Sequence, residues 1–162
     1  MTNVGQIRDA LLHIAPEHLA ESWDNVGLLA GDPNEVVGAI MTCLTVTKQT
    51  VDEAIAKSVD LLITHHPLPF RPISSITTES PTGDLIWNLA KNGISVYSPH
   101  TAWDSATNGI NQQIANGIGL TNTAPIVVNA KDEDLLGAGR YGDWTGKLRQ
   151  LAKVLCEFLQ IA

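Results

Sequence analysis

The chain has 162 residues, a formal net charge of −7 and 44% hydrophobic residues, a composition typical of globular proteins. This length suffices for one well-buried domain, or for one domain and the beginning of a second. No apolar run approaches the roughly 18 to 20 residues of a membrane helix, and the negative charge argues against non-specific binding to nucleic acid. Cys43 and Cys156 have no CxxC spacing, so we expect free thiols in a reducing, cytoplasmic compartment.

The chain begins with a predicted amphipathic helix. Apolar residues recur at helical spacing between residues 4 and 14, with Asn3 as the N-cap and Pro16 as the stop. The segment Trp23-Asp24-Asn25 has turn chemistry, because Asp and Asn tolerate left-handed backbone conformations and bond to their own backbone. Turn statistics alone explain this segment equally well as a plain tight turn.

From residue 38 to residue 128, strand-like and helix-like runs alternate. The predicted strands are 38–47, 61–64, 94–98 and 126–128, and the predicted helices are 48–57, 85–90 and 107–117. This alternation predicts an α/β fold with a mostly parallel sheet flanked by helices. The Ser/Thr-rich segment from Pro67 to Pro81 is predicted to be a long loop, and such loops in compact domains are often functional.

The C-terminal part contains a glycine-rich segment and a strongly amphipathic helix. Residues 137–144, Gly-Ala-Gly-Arg-Tyr-Gly-Asp-Trp, look superficially like a phosphate-binding loop. Their spacing does not match the P-loop pattern, so a glycine-rich strand or bulge is the favoured interpretation. Apolar residues at helical spacing predict a helix from Leu148 to Leu159.

Two histidines follow the strand at 61–64 directly. Pro67 cannot donate a ladder hydrogen bond, so the strand should end before it, with His65 and His66 where the strand opens into a loop. In open α/β sheets this edge binds ligands. The strand at 94–98 is followed in the same way by His100 and Asp104.

If these two strands are parallel neighbours, three imidazoles and one carboxylate converge on one edge of the sheet. This donor set suits a first-row divalent ion, and the residue types accept Zn, Mn, Fe, Co or Ni. The competing interpretation is that the histidines are ordinary loop residues with satisfied hydrogen bonds.

The spacing of the four residues bears on the number of ions. Adjacent side chains on a strand point to opposite faces, so His65 and His66 should serve two neighbouring ions, or one should bind while the other packs. His100 and Asp104 are four residues apart and should lie on one side of a turn or short helix. A carboxylate has two oxygens, so Asp104 is the natural bridge in a dinuclear site.

Four motifs occur in a familiar order along nearly the whole chain, from Val4 to Leu159. They are WDNVGLL at 23–29, LLITHHPLPF at 61–70, ISVYSPHTAWD at 94–104 and GAGRYG at 137–142. With them the chain resembles the GTP cyclohydrolase 1 type 2 homologue family, also described as Ngg-interacting-factor-like proteins. The resemblance implies an α/β protein with two divalent metal ions, often assembled as a toroidal hexamer.

The resemblance also implies roles for particular residues. The family's THHP motif falls on His65 and His66, and its HTxxD motif falls on His100 and Asp104. Trp23, Asp24 and Asn25 match a family turn that would lie close to the metals, with Asp24 and Asn25 in contact with substrate or behind the metal ligands.

One family motif is missing from this sequence. Family members also supply a histidine and a glutamate from a GHxxSE-like motif near their C-terminus, whereas no histidine follows His100 and the sequence stops at Ala162. We therefore expect either a fragment of a longer protein or an incomplete site that binds metal weakly. The predicted organisation is an α/β metal-site domain at 1–130, followed at 131–162 by the truncated start of a second segment or domain.

Two functions from different classes are compatible with these features. The first is a metal-dependent hydrolase acting on a nucleotide or a similar small molecule. Arg71, in the loop after the histidines, either meets phosphate through its planar fork or is an ordinary solvated charge. The second is a non-enzymatic metal-binding or regulatory interaction protein. The sequence identifies no catalytic residue, and Glu79 is only a conceivable general base. We expect a homo-oligomer with no membrane or nucleic-acid partner.

Overall fold

The computed structural model describes residues 1–128 and 136–161 and divides the chain into two compact units, Met1–Ala102 and Trp103–Ala162. The boundary predicted near residue 130 lies outside the described residues. None of the helices within these two ranges combines the length and apolar character needed to cross a bilayer.

The first unit alternates helices and short strands. In chain order its elements are α1 (Val4–Ile14), a 3-10 turn (Glu17–Leu19), β1 (Gly27–Ala30), β2 (Ile40–Cys43), α2 (Lys48–Ala56), β3 (Leu61–Thr64), α3 (Pro81–Lys91), β4 (Ser95–Ser98) and the beginning of α4 (His100–Ser105). Helix α1 has the predicted bounds because the Asn3 side chain accepts a hydrogen bond from the Gln6 amide at 2.9 Å, forming a capping box.

The four strands of the first unit form one sheet in the order β1-β4-β3-β2. Strands β2, β3 and β4 are parallel, and Leu62 of β3 pairs with Val96 of β4. This confirms the mostly parallel sheet and the predicted adjacency of the two histidine-bearing strands. Strand β1 pairs antiparallel with β4 and was not predicted, because the sequence there indicated only a turn.

Both faces of this sheet are covered, as predicted for an α/β fold. Leu62 and Val96 point to one face, where they pack in a cluster with residues of α2 and α3. Leu61 and Tyr97, one position along each strand, point to the other face and pack with Val4 of α1. The alternation of side chains along a strand therefore assigns helices to each side of the sheet.

The second unit contains the remaining helices and two small antiparallel sheets. Its elements are the end of α4, α5 (Ile110–Gly117), β5 (Thr121–Ala124), β6 (Val127–Val128), β7 (Gly137–Ala138), β8 (Tyr141–Asp143) and α6 (Leu148–Leu159). Strand β5 pairs with β8, and β6 pairs with β7. The strand predicted at 126–128 therefore does not continue the parallel sheet. It is observed as the two residues of β6, which pair antiparallel with β7.

The glycine-rich segment 137–144 is a pair of short strands around Arg140, not a phosphate loop. The Arg140 guanidinium donates to the carbonyls of Gly137 and Gly139, both at 2.6 Å, and to Gln112 Oε1 at 2.8 Å. Burial lowers the pKa of this guanidinium. Because its donors are used inside the fold, Arg140 has a structural role, and the favoured strand interpretation is confirmed.

Candidate metal centre

The backbone of the two adjacent histidines is anchored to both neighbouring strands. Strand β3 ends at Thr64, and the amides of His65 and His66 donate to carbonyls at and just beyond the end of β2, at 3.1 and 2.8 Å. The Ser98 hydroxyl, at the end of β4, donates to the His65 carbonyl at 2.7 Å. Three adjacent strand ends therefore fix the position from which both imidazoles project.

His100 joins these two residues, so that three imidazoles form a cluster. The ring centroids of His65 lie 5.2 Å from those of His66 and His100, and the His66 and His100 centroids are 5.8 Å apart. One nitrogen from each ring lies within 4.8 Å of the other two. Two nitrogens that bind one ion at about 2.1 Å are at most about 4.2 Å apart. The separations in the cluster are close to this limit, so the cluster could hold a metal ion.

The adjacent histidines do not point to opposite sides as residues of a strand do. Because β3 ends at Thr64, His65 and His66 lie in a bend, and their rings are tilted by 56° on the same side of the chain. The argument from extended geometry therefore does not apply at these positions. Both one shared ion and two neighbouring ions are compatible with the cluster.

The orientation of the His100 ring is set by a buried carboxylate. His100 Nδ1 donates to Asp24 Oδ1 at 2.8 Å, and the Asp24 side chain has no exposed surface. This bond places the proton on Nδ1 and leaves Nε2 as the nitrogen that can ligate. His100 itself has a φ of +30°, an unusual backbone conformation for this residue type that the surrounding contacts must hold.

Asp24 is held in turn by several donors. The Asn25 amide donates to its Oδ1 at 2.8 Å, and the amide and hydroxyl of Thr101 donate to its Oδ2. Burial raises the pKa of the Asp24 carboxyl, but the hydrogen bonds from Thr101, His100 and Asn25 outweigh burial and lower the pKa below its ordinary value. Asp24 is therefore a stable anion behind His100.

The His66 ring is hydrogen-bonded at Nδ1, as the His100 ring is, but its partner is a neutral hydroxyl. The Thr45 hydroxyl and His66 Nδ1 share a hydrogen bond of 2.6 Å. When His66 ligates through Nε2, its Nδ1–H donates to this hydroxyl, as the second ring nitrogen of a metal-bound histidine usually does. The Asp24 carboxylate thus sets the tautomer of His100, whereas the Thr45 hydroxyl can donate or accept and pairs with either tautomer of His66. This arrangement fits a resident divalent ion.

The remaining predicted site residues occupy different positions. Asn25 lies beside the cluster and donates from Nδ2 to the Pro69 carbonyl at 2.6 Å, which ties the first turn to the loop after the histidines. Arg71 lies exposed in that loop. Asp104 is on α4, one helical turn after His100 and partly buried, and its role as a ligand stays a prediction.

Sequence reasoning missed two threonines that contact the site. Thr45 follows β2 and bonds to His66, and Thr101 follows His100 and bonds to Asp24. The sequence carries one usable signal for the first, because β2 ends beside β3 and the residues after both strands must lie at the same edge. The signal for the second is the threonine of the HTxxD motif, but that motif does not indicate a bond to Asp24, which is 77 positions away.

Comparison with known proteins assigns the family. The sequence pattern of Duf34/NIF3 (NGG1p interacting factor 3) proteins matches residues 2–161, almost the entire chain. The chain belongs to the Duf34/NIF3 family. The resemblance found in the sequence motifs is therefore confirmed, and the histidine cluster lies on two of those motifs.

Relatives in this family carry two kinds of name. The chain is 42% identical over 126 residues to the "GTP cyclohydrolase 1 type 2 homolog" of Clostridium acetobutylicum, covering 78% of this chain and 47% of that protein. It is 38% identical over 138 residues to "NIF3-like protein 1" of Mus musculus, covering 84% and 37%. The chain thus spans about half the length, or less, of these relatives.

Solved protein structures share the fold of this chain. The reduced form of HcgD from Methanocaldococcus jannaschii matches with a TM-score of 0.85 and 28% identity, covering 96% of this chain and 60% of that one. A Staphylococcus aureus protein matches with a TM-score of 0.84 and 26% identity, covering 98% and 66%. The α/β fold predicted from the sequence is confirmed by these matches.

Proposed function

We propose that this chain holds two divalent metal ions and acts as a metal-dependent hydrolase on a nucleotide or a similar small molecule. One observation carries the proposal: three imidazoles bring a nitrogen each within 4.8 Å of one another at the ends of adjacent strands. The names of relatives such as the Clostridium acetobutylicum protein support a purine nucleotide such as GTP as the first substrate to test.

Each residue of the cluster has a definable task in this proposal. Divalent ions supply acidified water and bind substrate oxygens when they are present. His65, His66 and His100 provide the nitrogen ligands, while Asp24 and Thr45 hold the His100 and His66 rings with Nε2 available. Asp104 is proposed as the carboxylate ligand because α4 places it one turn after His100. Arg71, exposed in the adjoining loop, is proposed to meet substrate phosphate.

A non-enzymatic role is the second candidate. The family description, NGG1p interacting factor 3, names an interaction and no reaction. Supporting this candidate, two of the three ring Nδ1 atoms are already hydrogen-bonded, so the cluster itself offers ligands more readily than a general base. In this role the chain would bind metal and a partner without turnover.

Metal content tests the site directly. Alanine substitution of His65, His66, His100 or Asp104 should each lower the metal retained after dialysis, measured by elemental mass spectrometry, without loss of the folded state. His13→Ala is the matched control, because His13 lies exposed on α1 and should leave metal content unchanged. Wild-type metal stoichiometry in all four variants would overturn the site, and one ion per chain would overturn the dinuclear arrangement.

Turnover separates the two candidate functions. The metal-loaded chain is assayed with GTP and with generic phosphoesters, and His66→Ala serves as the inactive control. Metal-dependent hydrolysis that is lost in this variant supports the enzyme. Tight metal binding without turnover over the whole panel supports the interaction protein. We also propose a homo-oligomer, a hexamer by analogy with the family, which light scattering tests on the same samples.

A further inference from the structure

Two aromatic rings border the histidine cluster and remain largely exposed. Trp23 is 59% exposed and Phe70 is 44% exposed, although the two rings contact each other edge to face with centroids 6.0 Å apart. Their centroids lie 6.4 and 6.1 Å from that of His100. The fold therefore exposes two aromatic rings to solvent directly beside the His100 imidazole of the candidate metal centre.

The exposure of this pair is built into the structure. Trp23 directly precedes Asp24, whose carboxylate is fully buried and hydrogen-bonded, and Phe70 directly follows Pro69. Asn25 joins the two segments through its 2.6 Å bond to the Pro69 carbonyl. The backbone beside each ring is thus anchored. An anchored aromatic side chain that stays in water forgoes the favourable burial that the fold otherwise gives such residues.

We propose that the planar aromatic ring of the substrate stacks on Trp23, with Phe70 against its edge and with the ring's polar edge facing the histidine cluster; the Trp23 and Phe70 planes are 74° apart, so one flat ring can lie face to face with only one of them. This inference rests on the proposed function and narrows its substrate to a molecule with a flat heterocycle, such as a nucleobase. Aromatic side chains bind nucleobases by stacking, and they do so with little dependence on the identity of the base. The adjoining imidazoles provide the polar side of the same site.

The position of the pair also limits where the ligand's other groups can lie. A ring stacked on Trp23 lies beside His100, so the heterocycle itself, rather than a distant phosphate, is next to the metal ligands. A sugar or phosphate attached to that ring extends away from the cluster. The aromatic part of the ligand is therefore sufficient for detectable binding, and the phosphate is not.

The test is a calorimetric titration of the full chain with guanosine, with ribose 5-phosphate as the probe that lacks a base. Guanosine should bind the wild type. Trp23→Ala should weaken this binding by about 5- to 150-fold, the range expected for loss of a stacked ring, and Phe70→Ala should weaken it by less, because its ring meets the ligand edge-on. Trp23→Phe should recover part of the affinity because it keeps a ring. Trp87→Phe is the matched control, because Trp87 is 49% exposed on α3. This variant should bind guanosine as the wild type does.

Three outcomes would overturn the stacking surface. The first is equal guanosine binding by wild type and Trp23→Ala. The second is tighter binding of ribose 5-phosphate than of guanosine. The third is a change of molar mass in Trp23→Ala without any guanosine binding by wild type. The last result would assign the pair to a contact between protein chains. Metal content is measured on every sample. Metal retained without guanosine binding refutes the stacking surface alone, and guanosine binding without metal refutes the proposed metal site alone.

Discussion

Asp24 and His100 are 76 positions apart in sequence and meet through a 2.8 Å hydrogen bond between Oδ1 and Nδ1. The carboxylate is fully buried, and the imidazole is 14% exposed. A buried anion that accepts from the far nitrogen of an imidazole fixes the ring's rotation and increases the electron density on Nε2. The turn at residues 23–25 is therefore part of the candidate metal centre, and the alternative of a plain tight turn does not describe it.

Asp24→Asn should weaken metal binding by about 10- to 100-fold, the usual effect of removing a partner behind a metal-bound histidine. The amide keeps the shape of the carboxylate but loses its charge and places an NH₂ group against donors. Competition with a metal-sensitive dye measures the affinity. Asp52→Asn, which removes an equal charge from the exposed pair with Lys48, should leave it unchanged. Equal affinity in Asp24→Asn and wild type would refute this role.

Thr45→Val should also weaken metal binding, but by less than Asp24→Asn. The Thr45 hydroxyl is neutral and exposed, and hydrogen bonds to charged groups are roughly twice as strong as neutral ones. Thr45→Ser retains the hydroxyl and should bind metal as the wild type does. The same dye competition ranks the variants. A larger loss in Thr45→Val than in Asp24→Asn would reverse the order expected from charge.

Tyr97 should make the fold sensitive to alkaline pH. Burial, together with the nearby charge of Glu17, raises the pKa of the Tyr97 phenol from 10.0 to about 12. The stability contributed by the neutral phenol is therefore complete below pH 10 and is lost as pH rises towards 12, to a total of about 2 to 3 kcal/mol. Urea unfolding at pH 8, 10 and 11 measures this loss.

Tyr97→Phe is the control for that measurement. The Tyr97 hydroxyl is buried without a hydrogen-bond partner among the residues that the structure describes, so removing it should cost little and leave stability at neutral pH within about 1 kcal/mol. The variant should lose the part of the alkaline sensitivity that Tyr97 causes. An unchanged pH dependence in Tyr97→Phe would show that other groups are responsible.

Gly31→Ala should destabilise the first unit by about 2 to 4 kcal/mol, because it combines backbone strain with overpacking. Gly31 has a φ of +120°, and an added Cβ would lie 2.1 Å from Ser95 Oγ and 2.9 Å from the Ser95 Cα. Gly93→Ala introduces backbone strain without overpacking. Gly93 has a φ of +68°, and no described atom lies within 4 Å of an added Cβ. This substitution should cost about 1 to 2 kcal/mol, the strain of a residue with a Cβ in the left-handed region. Similar losses in both variants, measured by urea unfolding, would contradict the steric argument.

The sequence predicted the parts of the fold that depend on short-range pattern. Strand β3 was predicted with its observed bounds because four β-prone residues run into a proline-limited turn. Strand β1 was missed because its four residues follow turn-forming residues, and it gains its order from pairing with β4. The strand at 38–47 was predicted too long, since β2 needs only the four residues that face β3.

The sequence predicted the three histidines of the candidate site, but it did not predict the hydrogen bonds that orient them. His65, His66 and His100 follow parallel strands, and strand ends converge by the geometry of a sheet. The bend after Thr64, which turns His65 and His66 to the same side, depends on hydrogen bonds to two other strands. The contact of Asp24 with His100 depends on tertiary packing, which no local spacing encodes.

Ser98 anchors the His65 carbonyl, and the end of β2 anchors the amides of both histidines. The positions of the histidines therefore do not depend on the sequence of the loop that follows them. The loop that continues through the exposed residues 71–80 can gain, lose or exchange residues at little thermodynamic cost. The imidazoles, held from the sheet side, stay where they are. Related chains with this arrangement can therefore differ in the ligand that the loop contacts and still keep the same cluster of three imidazoles.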